Sequence, residues 1–119
     1  MANPSTPAAT TAMTHANLAR AERVKLLLFD VDGVLTDGRV TIHGDGAEAK
    51  TFAIRDGIAL VWAQRQGLTV GLLSARSSPT TLHRAAQLGI TLVHQGVASK
   101  AESFAEILAA AGVSPAEVA

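Results

Sequence analysis

Cysteine is absent, which excludes disulfides, thiolate nucleophiles and Cys-ligated zinc. Tyrosine is absent too, and one Trp with three Phe brings aromatics to only 3%. That is too few for the base-stacking platforms that bind single-stranded nucleic acid. There is no charge excess of either sign, since ten Lys plus Arg balance ten Asp plus Glu. A neutral chain lacks the basic stripe of a general nucleic-acid binder and the polybasic patch of a membrane-surface module. The longest strongly apolar run, Ile58–Ala63, falls far short of the ~18 residues that a membrane helix needs. Residues 1–13, rich in Ala, Thr and Pro, lack the charged and apolar regions of a signal peptide. Residues 1–22 are therefore expected to be a flexible leader, in which Thr14 to Arg23 has the pattern of a short helix. Lack of Cys accords with a cytoplasmic location.

What is present is a globular composition, 48% apolar and 17% charged in 119 residues, enough for one domain over residues 23–119. Val24 to Phe29 is a short apolar run ending at Asp30, the pattern of a buried parallel strand. Arg39 to His43 and Lys50 to Ile54 alternate around Gly44-Asp45-Gly46, which predicts a β-hairpin over about 39–54. Its apolar face would carry Val40, Ile42, Phe52 and Ile54. Asp56 is expected to cap a helix from Gly57 to Gln66, with Trp62 in the core. Thr69 to Leu73 reads as a second strand, and Ser78-Pro79 opens a helix that turns Leu82, Ala85, Ala86 and Leu88 inward and ends at Gly89. Ile90 to Val93 is a third strand. Ser99-Lys100-Ala101-Glu102 opens a last helix, with Phe104, Ile107, Leu108 and Ala111 on its buried face. Alternating strands and helices give an α/β, Rossmann-like parallel sheet, with the hairpin inserted after the first strand.

Ligands of such sheets sit at the carboxyl ends of the strands. There the chain carries Asp30 and Asp32, then Ser74, then the loop to Lys100. Two carboxylates, a hydroxyl and an ammonium are what phosphoryl transfer uses: an oxygen nucleophile and a cation for the phosphoryl oxygens. Phosphoacceptor signalling domains use similar groups, but their acceptor Asp ends the third strand. Here that strand ends in His94-Gln95.

The string Phe29-Asp30-Val31-Asp32-Gly33-Val34-Leu35-Thr36-Asp37-Gly38 resembles the first signature of the haloacid dehalogenase superfamily of phosphatases. The resemblance extends through Phe52-Ala53-Ile54-Arg55-Asp56-Gly57, Leu73-Ser74-Ala75-Arg76, Leu88-Gly89-Ile90 and Gln95-Gly96 to Lys100. It is strongest to the capless branch acting on acidic sugar phosphates such as 3-deoxy-D-manno-octulosonate 8-phosphate, a precursor class of bacterial lipopolysaccharide. The resemblance implies Asp30 as nucleophile, forming an aspartyl-phosphate, and Asp32 as general acid and base. It implies Mg²⁺ held by Asp30 and by the Asp32 backbone carbonyl, and phosphate bound by Ser74 and Lys100. Ala53, Ile54, Arg55, Asp56, Gly57, Arg76 and Arg84, with Asp32, correspond to substrate-binding positions. Where some relatives carry a basic residue one turn after Asp56-Gly57, this chain has Val61. Capless relatives close their sites with neighbouring subunits, so a homotetramer packed through the hairpins is expected. An accessory subunit of the same fold, like the small subunit of phenylphosphate carboxylase, is the alternative.

The family's fourth signature, an acidic Gly-Asp-Asp loop after a fourth strand, would follow Ser114-Pro115-Ala116-Glu117. The chain reaches Val118-Ala119 and stops before it. The expectation is a C-terminally truncated form, weak or inactive alone, with one edge of the first strand open.

Overall fold

The structure is a computed structural model, and it describes residues 14–119. Residues 1–13 of the leader expected over residues 1–22 lie outside the described residues. Helix α1 (Thr14–Glu22) comes first, inside the segment expected to be a flexible leader. Strand β1 (Leu26–Phe29) pairs in parallel with β4 (Thr69–Leu73), and β4 pairs in parallel with β5 (Leu92–His94). Between β1 and β4 lie the hairpin β2 (Thr41–Ile42) and β3 (Glu48–Ala49), then α2 (Ile54–Arg65). Helices α3 (Pro79–Leu88) and α4 (Lys100–Ala111) follow β4 and β5, and a 3₁₀ turn spans Pro115–Glu117. No helix among the described residues is long and apolar enough to cross a membrane.

Strand alternation divides the core between the two faces of the sheet. Val70 and Leu72 join Val31, Leu35, Leu60, Ala85 and Ile90 under α2 and α3. Leu26 and Leu73 face the other way and meet Ile107 of α4. At Gly71, between the two leucines that flank it, a Cβ would lie 2.7 Å from Leu92 Cδ2 and 3.0 Å from Leu28 Cδ1. Gly71→Ala is therefore expected to destabilise the fold by about 1–3 kcal/mol through overpacking. Urea denaturation measures it, and an unchanged midpoint would contradict the close approach of β1 and β5 side chains over this residue.

Punctuation residues set several boundaries as expected. Pro79 starts α3, Gly89 ends it with φ 72°, and Ser99 Oγ accepts the Glu102 N–H at 3.3 Å to cap α4. Other expectations need correction. The second hairpin strand is Glu48–Ala49, in register with Ile42 and Thr41, not Lys50 to Ile54. Phe52 instead bridges Thr36 and packs on the core, while Ile54 begins α2. Val40, Ile42, Phe52 and Ile54 thus do not form one hairpin face. Helix α2 starts at Ile54 with Ala53 as N-cap, so Asp56 lies in its first turn and does not cap it. Trp62 is 62% exposed, not core, and Leu82 and Ala86 face solvent while Thr81 and Ala85 turn inward.

The outer edge of β1 is not open as expected. Val118 bridges Leu26 in parallel, and Leu28 N–H donates to the Ala119 carbonyl at 2.8 Å. Lys25 anchors this return by its ion pair with Glu117 at 2.5 Å. That ammonium and the Ser114 N–H hold the Glu117 carboxyl down from 4.5 to about 2.

Candidate active site

The loop after β1 is wound tightly enough to present two carboxylates. Val31 is fully buried; the flanking Asp30 side chain stays open to solvent, whereas both Asp32 carboxyl oxygens are shielded from it. The Val31 carbonyl accepts from Val34, Leu35 and Thr36 N–H groups at 3.2, 2.9 and 3.2 Å. Thr36 Oγ1 accepts from Gly33 and Gly38 N–H groups, each at 3.2 Å. Gly33 and Gly38 stand at φ 83° and 84°, a backbone that side-chain-bearing residues rarely adopt.

Asp30 is held at both oxygens. Oδ1 accepts the Val31 N–H at 2.8 Å, and Oδ2 lies 3.2 Å from Lys100 Nζ. The side chains of this pair remain 39% and 47% exposed, open to a ligand. Lys100 is the first residue of α4, so its charge and the helix N-terminus both favour an anion beside Asp30. Ser74, 3% exposed, follows β4 directly, and its N–H donates to the His94 carbonyl at 2.8 Å. Because Phe29 pairs with Leu72, Asp30 and Ser74 leave the sheet at the same edge.

The residues expected to bind substrate are distributed differently. A groove joins Val34, Thr36 and Asp37 of the β1 loop to Ala53 and Asp56, and an adjoining surface includes Ile54 and Arg55. Arg76 is held by Glu48 of the hairpin at 2.8 Å. Arg84 lies 5.5 Å over the Phe52 ring and donates to the Ala53 carbonyl at 3.4 Å. Gly57 is buried beneath it, and a Cβ there would sit 2.5 Å from Arg84 Nη2. Gly57 thus makes room for Arg84 rather than presenting a surface of its own.

One residue the sequence reading passed over is Lys50. Its side chain is only 1% exposed, and Nζ lies 2.9 Å from Asp32 Oδ1. The signal was available: Lys50 shares the period-two face of Phe52, which packs on the core.

No family model matches the chain. It is 36% identical over 102 residues to 3-deoxy-D-manno-octulosonate 8-phosphate phosphatase of Escherichia coli K12, covering 86% of this chain and 54% of that protein. A haloacid dehalogenase superfamily hydrolase structure from Legionella pneumophila superposes with a TM-score of 0.87 at 31% identity, covering 92% of this chain and 60% of that one. The chain resembles haloacid dehalogenase superfamily phosphatases in sequence and in fold. It spans about half the length of the curated relatives it matches. A further structural neighbour is the 3-deoxy-D-manno-octulosonate 8-phosphate phosphatase of Moraxella catarrhalis, solved with magnesium, phosphate and a KDO molecule. Its TM-score is 0.82 at 30% identity, covering 87% of this chain and 61% of that one.

Hard oxygen donors dominate this site. Among the described residues, no group of three or more His, Cys, Asp and Glu could hold a metal. Asp30 offers a carboxylate at the open edge, and Mg²⁺ commonly takes one or two carboxylates, keeping waters and substrate phosphate for its other positions. The donor set fits such an ion and does not fit a His- or thiolate-bound one.

Proposed function

We propose that the chain is a Mg²⁺-dependent phosphomonoesterase for an acidic sugar phosphate, 3-deoxy-D-manno-octulosonate 8-phosphate or a close analogue. The observation that carries this reading is the Asp30–Lys100 pair at the carboxyl edge of the sheet, 3.2 Å apart and open to solvent. Similarity to the octulosonate phosphatases supports the choice of substrate.

In this reading an Asp30 oxygen attacks phosphorus and the phosphorus–oxygen bond to the sugar breaks. Asp32 gives its proton to the departing sugar oxygen. Asp32 then takes a proton from water as that water attacks the aspartyl-phosphate, releasing phosphate and regenerating Asp30. Lys100 and Ser74 hold the phosphoryl oxygens, whose charge they stabilise as it shifts. Asp30 and the Asp32 backbone carbonyl would hold Mg²⁺, which when bound supplies further neutralisation of phosphoryl charge.

The test is a phosphate-release screen of this chain over sugar phosphates, with Mg²⁺ and with chelator. Release from the octulosonate 8-phosphate above that from neutral hexose phosphates, lost on chelation, is the expected result. Absence of release from every ester would overturn the reading.

Assembly into a homotetramer belongs to the same proposal. Ile54, Ile58 and Trp62, spaced four residues apart on α2, are 77%, 45% and 62% exposed, and Ile42 of the hairpin is 68% exposed. An apolar stripe of this kind is a subunit-contact candidate. Ile58→Glu with Trp62→Glu is expected to shift sedimentation toward monomer with circular dichroism unchanged. An unaltered sedimentation coefficient would remove α2 from the interface.

A further inference from the structure

Burying an ammonium is costly unless it is paired and hydrogen-bonded. Lys50 meets that condition through two other elements of the fold. Its Nζ lies 2.9 Å from Asp32 Oδ1, in the loop after β1, and donates to Thr81 Oγ1 of α3 at 3.4 Å. Thr81 is itself 1% exposed, so the ammonium is clamped in the interior and not left on a mobile arm. Both Asp32 oxygens are shielded from solvent, and neither accepts a hydrogen bond of good geometry. The ion pair is therefore what restrains the carboxylate. Lys50 directly follows β3, so the hairpin delivers this charge to the β1 loop.

We propose that Lys50 is a positioning residue for Asp32. By engaging Oδ1 it fixes the plane of the carboxyl that, in the reading above, exchanges a proton with the leaving group. The inference rests on the phosphomonoesterase reading above, in which Asp32 is the general acid. On this view the hairpin carries part of the catalytic apparatus in addition to any role in assembly.

The discriminating property is leaving-group dependence. Protonation by Asp32 matters for a sugar alkoxide, a poor leaving group, and little for 4-nitrophenolate, a good one. A residue that only stabilises the fold would lower both rates together. In Lys50→Met, the ratio of kcat on the octulosonate 8-phosphate to kcat on 4-nitrophenyl phosphate is expected to fall by about 100-fold, the scale of a general-acid contribution. KM is expected to change little, and Lys50→Arg to recover part of the ratio. Should Lys50→Met fail to fold in a thermal melt, Lys50→Gln, which keeps a donor and drops the charge, is read by the same ratio. An unchanged ratio in a folded variant of an active chain overturns the positioning role while the phosphatase reading stands. No phosphate release by the unaltered chain from either ester means that the phosphatase reading has failed, and the positioning role fails with it.

Discussion

Asp30→Asn is expected to reduce phosphate release by roughly 10³-fold or more, the scale seen when a covalent nucleophile is removed. An amide oxygen is a weak nucleophile toward phosphorus and a weak ligand for a hard cation. Folding should survive, because Asn Oδ1 can still accept the Val31 N–H that Asp30 Oδ1 accepts at 2.8 Å. The ion pair that is lost, Asp30 to Lys100, is close to half exposed on both sides, and exposed pairs contribute only about 0–1 kcal/mol. Steady-state phosphate release and a thermal melt on the same preparation separate the two effects. Retained turnover in the folded variant would rule out the aspartyl-phosphate route.

Lys100→Gln is expected to lower kcat/KM by about 10²–10³-fold, as loss of a preorganised charge at the phosphoryl oxygens does. Stability should move the other way or not at all. Lys100 is the first residue of α4, where a cation opposes the helix dipole, and the Ser99 cap on Glu102 is untouched by the change. A residue kept where it disfavours its own helix is better explained by a ligand than by folding. Lys25→Gln is a suitable control, since Lys25 is 66% exposed and pairs only with Glu117 among the ion pairs seen. Equal activity of the Lys100 and Lys25 variants would remove Lys100 from the phosphate site.

The parts of the fold that were legible in the sequence are those governed by local chemistry. Pro79 and Gly89 delimit α3, and Ser99 and Gly112 delimit α4, because a fixed φ, a left-handed φ and a side-chain cap act within a few residues. Asp30, Ser74 and Lys100 were readable as lying at one edge of the sheet because parallel strands deliver their carboxyl ends there. The hairpin was misplaced because alternation continues through Lys50, Phe52 and Ile54, while pairing depends on what lies across the strand. Ile42 finds Glu48, and Phe52 finds Thr36. Trp62 was misplaced because helix α2 is apolar on more than one side. The side that docks is the one carrying Gly57 and Leu60, with Gly57 small enough to admit Arg84 and Leu88.

Residue types and their order determined the alternating α/β architecture and the chemistry gathered at its edge, since strand ends, turns and caps are set by neighbouring residues. Tertiary structure decided which charges meet. Asp32 looks solvent-facing in a Gly-rich loop, and Lys50 looks like a surface lysine of a hairpin. Only the folding of that hairpin against the β1 loop and α3 brings them to 2.9 Å with the lysine buried. The period-two face that Lys50 shares with Phe52 points to its burial but not to its partner, because neither partner's neighbours specify the other.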